Sequence, residues 1–210
     1  MKALTLAVVF CALLAVGVAH GQSGDVAFGV STVVAPSASS ASGNYYPQSV
    51  GGGAFPVFSG DIIFFKHQFG ISTNISWRAS QGQYTTFQLF GGTLQPLTLT
   101  PYRPIFYDFN GIWTPNRLKR VVPQLEGGIG AESVRFYQPF FSCGFTGCTN
   151  YTSSNHFLGH FGGGVKLYVK GGFFVRPEAH LYLVHNNTEF SSGRAERFGV
   201  SIGYTIRPLE

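Results

Sequence analysis

The dominant signal in this chain is an alternation of apolar and polar positions with period two. In 173–184, Val175, Pro177, Ala179, Leu181 and Leu183 occupy one set of alternate positions. Phe174, Arg176, Glu178, His180 and Tyr182 occupy the other. Successive side chains of a strand point to opposite faces, so this period predicts β-structure. The same repeat runs through 157–169 and 198–206. Earlier strands are predicted at 25–33, with Val26, Phe28 and Val30 on one face, and at 60–65, extended back less regularly through 54–59. Further strands are predicted at 69–78, 105–113 and 121–136. In 69–78, Phe69, Ile71, Thr73, Ile75 and Trp77 oppose Gly70, Ser72, Asn74, Ser76 and Arg78. Tyr107, Phe109 and Trp113 likewise oppose Asp108 and Asn110, and Leu125, Ile129 and Ala131 oppose Gln124, Glu126 and Glu132.

The connections carry a second pattern. They are long at 34–53, short at 66–68, long at 79–104, short at 114–120, long at 137–155, short at 170–172 and of medium length at 186–194. Antiparallel hairpins with short turns at one end and long loops at the other are the signature of an outer-membrane barrel. An even strand number puts both termini at the short-turn end. Soluble sandwiches rarely alternate so strictly. The loop from Pro36 to Gly53 is rich in Ser, Gly and Asn.

The first residues belong to a different kind of segment. Lys2 precedes an apolar run from Ala3 to Val18, and Ala19-His20-Gly21 offers a small-x-small cleavage site. This predicts a secretory signal peptide over 1–21 and a mature barrel domain over 22–210. No later apolar run is long enough for a membrane-spanning helix. A mature chain in a membrane must therefore cross it with strands. Composition agrees: charged residues are 11% and aromatic residues 16%, with 28 glycines, whereas soluble domains carry about 25% charged residues.

The polar face then becomes the barrel interior. It contains Arg78, Asp108, Glu126, Glu132, Lys166, Arg176, Glu178 and His180. Eight strands enclose room for side chains only. Charges in so narrow a lumen must pair, because an isolated buried ion is very costly. Inward glycines at 70, 128, 130, 162, 164, 199 and 203 leave space for large side chains opposite. Cys143 and Cys148 remain once the signal is removed. An even count in an exported chain predicts a disulfide, whose short loop contributes about 2 kcal/mol. A metal pair at the cysteines lacks ligands, since only His156 is near in sequence.

The chain resembles the small eight-stranded outer-membrane barrels of Gram-negative bacteria, the OmpA/OmpX/OmpW-like class. The resemblance covers about residues 24–206. It rests on the architecture and on the closing strand, where Gly199, Ser201, Gly203, Tyr204 and Ile206 are similar to the signal read by the barrel-assembly machinery. The chain departs in continuing through Arg207-Pro208-Leu209-Glu210. The resemblance implies an all-β, eight-stranded antiparallel up-and-down transmembrane β-barrel in the bacterial outer membrane. Its expected partners are outer-membrane lipids, lipopolysaccharide and the assembly machinery, and it is expected to be a monomer without cofactor.

Function is less constrained. The first expectation is a structural or surface-interaction role through the external loops, with an unknown external ligand. A narrow solute channel along Arg176, Glu178 and Lys166 is an alternative. So is a lipid-modifying enzyme using His156 with Ser154, or His160 with Asp108. However, no G-x-S-x-G run is present and nothing in the sequence fixes a triad, so no catalytic residue is assigned and the chain is read as a non-enzyme. A metal site at His156 and His160 lacks a third ligand at suitable spacing, so none is assigned. A soluble lipocalin-like carrier would invert the faces. Nucleic-acid binding is not expected, since no basic-aromatic motif is present. The loop aromatics Tyr45, Tyr46, Tyr84, Phe87, Phe90, Phe140, Phe141, Phe145 and Tyr151 are expected to pack on one another. Basic residues cluster at the short turns: Lys66, Arg117, Lys119, Arg120, Lys170 and Arg207.

Overall fold

In the computed structural model the described residues are 23–35, 48, 50–64, 68–115, 120–144, 147–187, 189–190 and 193–206. The predicted signal segment lies outside them, as do Tyr45, Tyr46, Lys66, Arg117, Lys119, Phe145 and Arg207. The described residues form nine strands: β1 (Ser23–Val34), β2 (Phe55–Phe64), β3 (Phe69–Trp77), β4 (Gly82–Phe90), β5 (Thr93–Trp113), β6 (Val121–Gly144), β7 (Gly147–Lys170), β8 (Phe173–Val184) and β9 (Arg194–Ile206).

All pairings between the strands are antiparallel. Apart from β3 and β4, neighbours in sequence pair with each other, and β1 pairs with β9 from Gly24↔Ile206 to Val34↔Glu196. The ring closes between β3 and β5, from Phe69↔Trp113 to Trp77↔Ile105. Eight strands therefore form the barrel, and β4 stands outside it, paired only with the distal part of β5. The strand ladder leaves no open edge in the ring, as a sheet in hydrocarbon requires.

Two predicted loops are strands. The 79–104 connection folds into the β4–β5 hairpin, and 137–155 extends β6 and β7 into a hairpin closed at its tip by the Cys143–Cys148 disulfide. The cross-strand pair Cys143↔Cys148 holds the tip in register. These segments carry many Thr, Tyr and Phe residues, which favour strands. Their dyad contrast is weak because both faces lie in water, so period alone missed them.

The barrel's two faces match the predicted alternation. Phe28, Val30, Phe58, Tyr107, Phe109, Leu125, Ile129, Phe157, Phe161, Val200 and Ile202 point outward and are exposed. The lumen side of the same strands holds the buried charges, polar groups and glycines, with apolar residues such as Ile63, Phe106 and Leu158 packed at other levels. An apolar exterior around a charged interior is the arrangement of a membrane barrel, and it excludes the inverted, lipocalin-like assignment. The inward glycines set the barrel's width. A Cβ on Gly130 would lie 2.2 Å from the Tyr107 carbonyl oxygen, whereas one on Gly159 would meet nothing within 4 Å. Gly130→Ala should therefore destabilise the folded barrel by about 1–3 kcal/mol. Gly159→Ala should leave it unchanged. Urea titration of refolded protein, following the shift between compact and unfolded bands on a gel, tests the contrast.

Candidate functional site

The lumen is filled at three levels. At the short-turn end, Ile63, Ile112, Val122 and Phe174 are buried. The Lys166 ammonium sits over the Phe174 ring at 5.3 Å, and Tyr168 bonds to Thr205 through their hydroxyls at 2.8 Å.

Above this floor lies an ion cluster. Lys166 donates to Asp25, and to Asp61 at 2.9 Å. Arg176, 1% exposed, reaches three partners: Asp61 at 3.1 Å, Glu178 at 2.9 Å and the Ser59 hydroxyl at 2.7 Å. Arg197 approaches Glu178 at 3.5 Å. Carboxyl groups outnumber the cations at this level, and neutral donors take up several of the remaining oxygens, while Asp25 Oδ1 is buried with no partner. Ser72 and Gln124 donate to Asp61, Asn110 donates to Asp108, and Asn74 donates to both Asp108 and Glu126. Space for the long cations comes from glycine: a Cβ on Gly164 would lie 3.0 Å from Arg176 Cγ.

A histidine pair extends the network. Asn110 must turn its amide NH2 to Asp108, which leaves its oxygen to accept from His160 Nδ1 at 2.6 Å. His160 Nε2 is then an acceptor, filled by His180 Nδ1–H at 2.8 Å. His180 Nε2 faces Glu178 at 3.6 Å. Glu126, His160 and His180 bring possible ligand atoms within 4.8 Å of one another. The chain of hydrogen bonds already engages both His160 nitrogens and His180 Nδ1.

The third level is apolar. Phe106 stacks on Tyr182 with centroids 5.1 Å apart, and Val33, Phe55, Leu158, Val184 and Ala195 pack around them. The mouth is closed by the β8–β9 connection. Asn187 donates to Glu132 at 2.9 Å and accepts from the Phe190 amide at 3.1 Å. Phe190, 2% exposed, is thereby set among Val50, Tyr102 and Val134, with Tyr84 and Phe136 packed against them. Gln48 clips this mouth to the β4 hairpin, bonding both the amide and the carbonyl of Thr85.

The residues singled out from sequence thus occupy different levels. Lys166, Arg176, Glu178 and His180 meet in one cluster, with Asp108 and Glu126 beside it. Glu132 lies higher, under the mouth. Arg78 does not join the acids: it is half-buried at the mouth and donates to the Tyr102 hydroxyl at 3.0 Å. Asp25, Asp61 and Arg197 were missed. Asp25 alternates with Val26 in the dyad pattern. Asp61 sits in the irregular second strand, and Arg197 falls one residue before the predicted start of the last.

Among the histidines, His160 lies 3.4 Å from Asp108 but bonds Asn110 more closely. Ser154 contacts His156 Nε2 at 3.0 Å, and Glu189 meets the same nitrogen at 3.1 Å. Ser154 also donates to Glu189 at 2.7 Å. A nucleophile and an orienting acid must use opposite nitrogens of the base. Here they share one, so the trio binds the β8–β9 connection to β7 rather than forming a relay. Phe136 packs inward at the mouth, against Tyr84 and Tyr102.

No family model matches the chain, and no curated protein matches it in sequence. Solved structures do match. Neisserial surface protein A aligns with TM-score 0.59 at 10% identity, covering 88% of this chain and 99% of that one. Ail of Yersinia pestis, in complex with the heparin analogue sucrose octasulfate, aligns with TM-score 0.51 at 10% identity, covering 89% and 99%. The chain has the fold of the small outer-membrane β-barrel proteins. A major outer membrane protein of Thermus thermophilus aligns similarly, at TM-score 0.50 and 10% identity over 86% of this chain.

The ion cluster sets a stability prediction for this barrel. Removing one member strands its partners without solvent, which costs about 3–5 kcal/mol. Lys166→Met should lower the urea midpoint by that order. Adding Asp25→Asn should restore part of the loss, because the remaining carboxyl at 61 keeps Arg176. Non-additivity in a double-mutant cycle measures the coupling.

Proposed function

We propose that this protein is a surface protein of the bacterial outer membrane that binds an external partner through its projecting hairpins. The observation that carries this reading is the exposure of large apolar side chains on those hairpins. Phe90 is 71% exposed, Leu97 61% and Leu99 67% on the β4–β5 hairpin, and Phe140 is 62% and Phe141 70% exposed on β6. Tyr84 packs on Tyr102, Phe136 and Phe190, and Tyr151 on Tyr137, but none of these partners belongs to the set expected to pack on one another. Phe90, Phe140 and Phe141 stand exposed. Above the lipid, such side chains lose free energy in water and gain it against an apolar partner.

The rest of the molecule suits that role. Long paired strands and a disulfide at the β6–β7 tip hold the apolar groups on a rigid support, which limits the entropy lost on binding. The filled lumen argues against a solute path, and the shared His156 nitrogen argues against acyl-transfer chemistry. Export by a cleaved segment over 1–21, and assembly through Gly199, Ser201, Gly203, Tyr204 and Ile206, belong to the same reading.

Cells expressing the protein should adhere to an apolar surface or a host-cell monolayer more than cells expressing Phe140→Ser/Phe141→Ser. Both proteins should show the same shift between boiled and unboiled gel bands. Equal adhesion would remove the β6–β7 tip as the binding element. Stepwise ion conductance in planar bilayers would favour the channel instead.

A further inference from the structure

The outer face of the barrel carries two arginines directly opposite each other. Arg103 on β5 pairs in register with Arg135 on β6, and Arg135 with Ser153 on β7. Both side chains follow the outward alternation set by Tyr107, Phe109, Leu125 and Ile129. Like charges directly opposite on one face of a sheet repel. Among the described residues no carboxylate pairs with either arginine.

Two tyrosines hold the guanidinium groups in place. Arg135 lies over the Tyr151 ring at 4.7 Å, and Arg103 over the Tyr137 ring at 5.9 Å. Tyr137 and Tyr151 are themselves cross-strand partners, with centroids 6.0 Å apart. Arg103 gives one N–H to the Ala79 carbonyl at 3.3 Å, while its Nε is buried and has no partner. A guanidinium held over an aromatic ring can still bond an oxyanion through its remaining N–H groups, and on Arg103 Nη1 remains, since Nη2 serves Ala79 and Nε is buried.

The height of the pair identifies the anion. Trp113 ends β5 at the short-turn end of the barrel. Ten residues of strand, at roughly 3.3 Å each and a tilt of about 40°, rise about 25 Å, the height of the apolar band of such barrels. Counting back from Trp113, that distance ends at Arg103. The pair therefore stands where the outer-leaflet headgroups begin, facing the lipid rather than the lumen.

We propose that Arg103 and Arg135, braced by Tyr137 and Tyr151, bind a phosphate group of an outer-leaflet glycolipid. The phosphate neutralises two facing cations, and their remaining N–H groups supply charge-assisted hydrogen bonds to its oxygens. This site rests on the barrel's placement in the membrane and is independent of what the hairpins bind.

The test uses the purified full barrel in neutral micelles, titrated with diphosphorylated lipid A and followed by native mass spectrometry. The wild type should bind it at least tenfold more tightly than R103Q/R135Q. Fully dephosphorylated lipid A should lose the same factor on the wild type and show no difference between the two proteins. R103K/R135K, which keeps the charge but not the fork, should fall between. Gel mobility before boiling checks that each variant is folded, and R120Q/K170Q, altered at the opposite end, should bind as the wild type does. Equal binding of lipid A by folded R103Q/R135Q would overturn the proposal. Inorganic phosphate or sucrose octasulfate occupying the site as tightly as lipid A would overturn its assignment to a lipid headgroup.

Discussion

A strand that crosses hydrocarbon finds no water for its N–H and C=O groups, so every one must bond to a neighbouring strand. The pairing of β3 with β5 satisfies this condition by closing the ring. The rest follows from closure. With eight strands the lumen has a fixed, small width, and alternation assigns one residue in two to it. Outward positions become Phe, Ile, Leu and Val, while inward positions must be small or must interlock. Glycine facing a long side chain, as at Gly164 beside Arg176 or Gly203 beside Phe174, is how the interior fits.

That interior is charged and buried. Its stability depends on complete pairing rather than on the number of ion pairs, since a stranded ion costs more than a formed pair contributes. Arg176 and Lys166 serve several carboxyl groups at once, and Asn74, Asn110, Gln124 and Ser72 supply donors where cations are too few. The histidine pair continues the same logic: the roles of both His160 nitrogens and of His180 Nδ1 are set by the next group along. Apolar residues seal the cluster below, and Phe106, Tyr182 and Phe190 seal it above. A lumen occupied in this way is the reason the proposed binding is placed on the hairpins and the outer surface.

Much of this was legible in the sequence. The dyad repeat of 173–184 assigned every side chain of β8 to its observed face, because lipid on one side and packed ions on the other impose opposite chemistry on adjacent positions. The cysteines announced their disulfide. Where both faces meet water, as in β4 and the tips of β6 and β7, that contrast fades and strands were mistaken for loops. Asp61 lies inside the predicted 60–65 strand, but Ser59, Gly60 and Asp61 are buried in succession and blur the alternation. Which cation meets which acid depends on register around a closed ring, and Lys166 lies 141 residues from Asp25 in sequence. Arg78 shares the inward parity of the cluster but stands too high on β3 to reach it. The plugging of the mouth by Phe190 was hidden, because a single aromatic in a turn gives no periodic signal.

The assignment of faces is the claim on which everything else rests, and a cysteine scan of β8 in liposomes tests it. Each single cysteine would carry an environment-sensitive fluorophore, challenged by brominated lipid and by aqueous iodide. Labels at 175, 177, 179, 181 and 183 should be quenched by the lipid and not by iodide. Labels introduced by Phe174→Cys, His180→Cys or Tyr182→Cys should escape the lipid. The opposite alternation, or quenching by iodide at the odd positions, would contradict the membrane-facing apolar surface and the ion-filled lumen together.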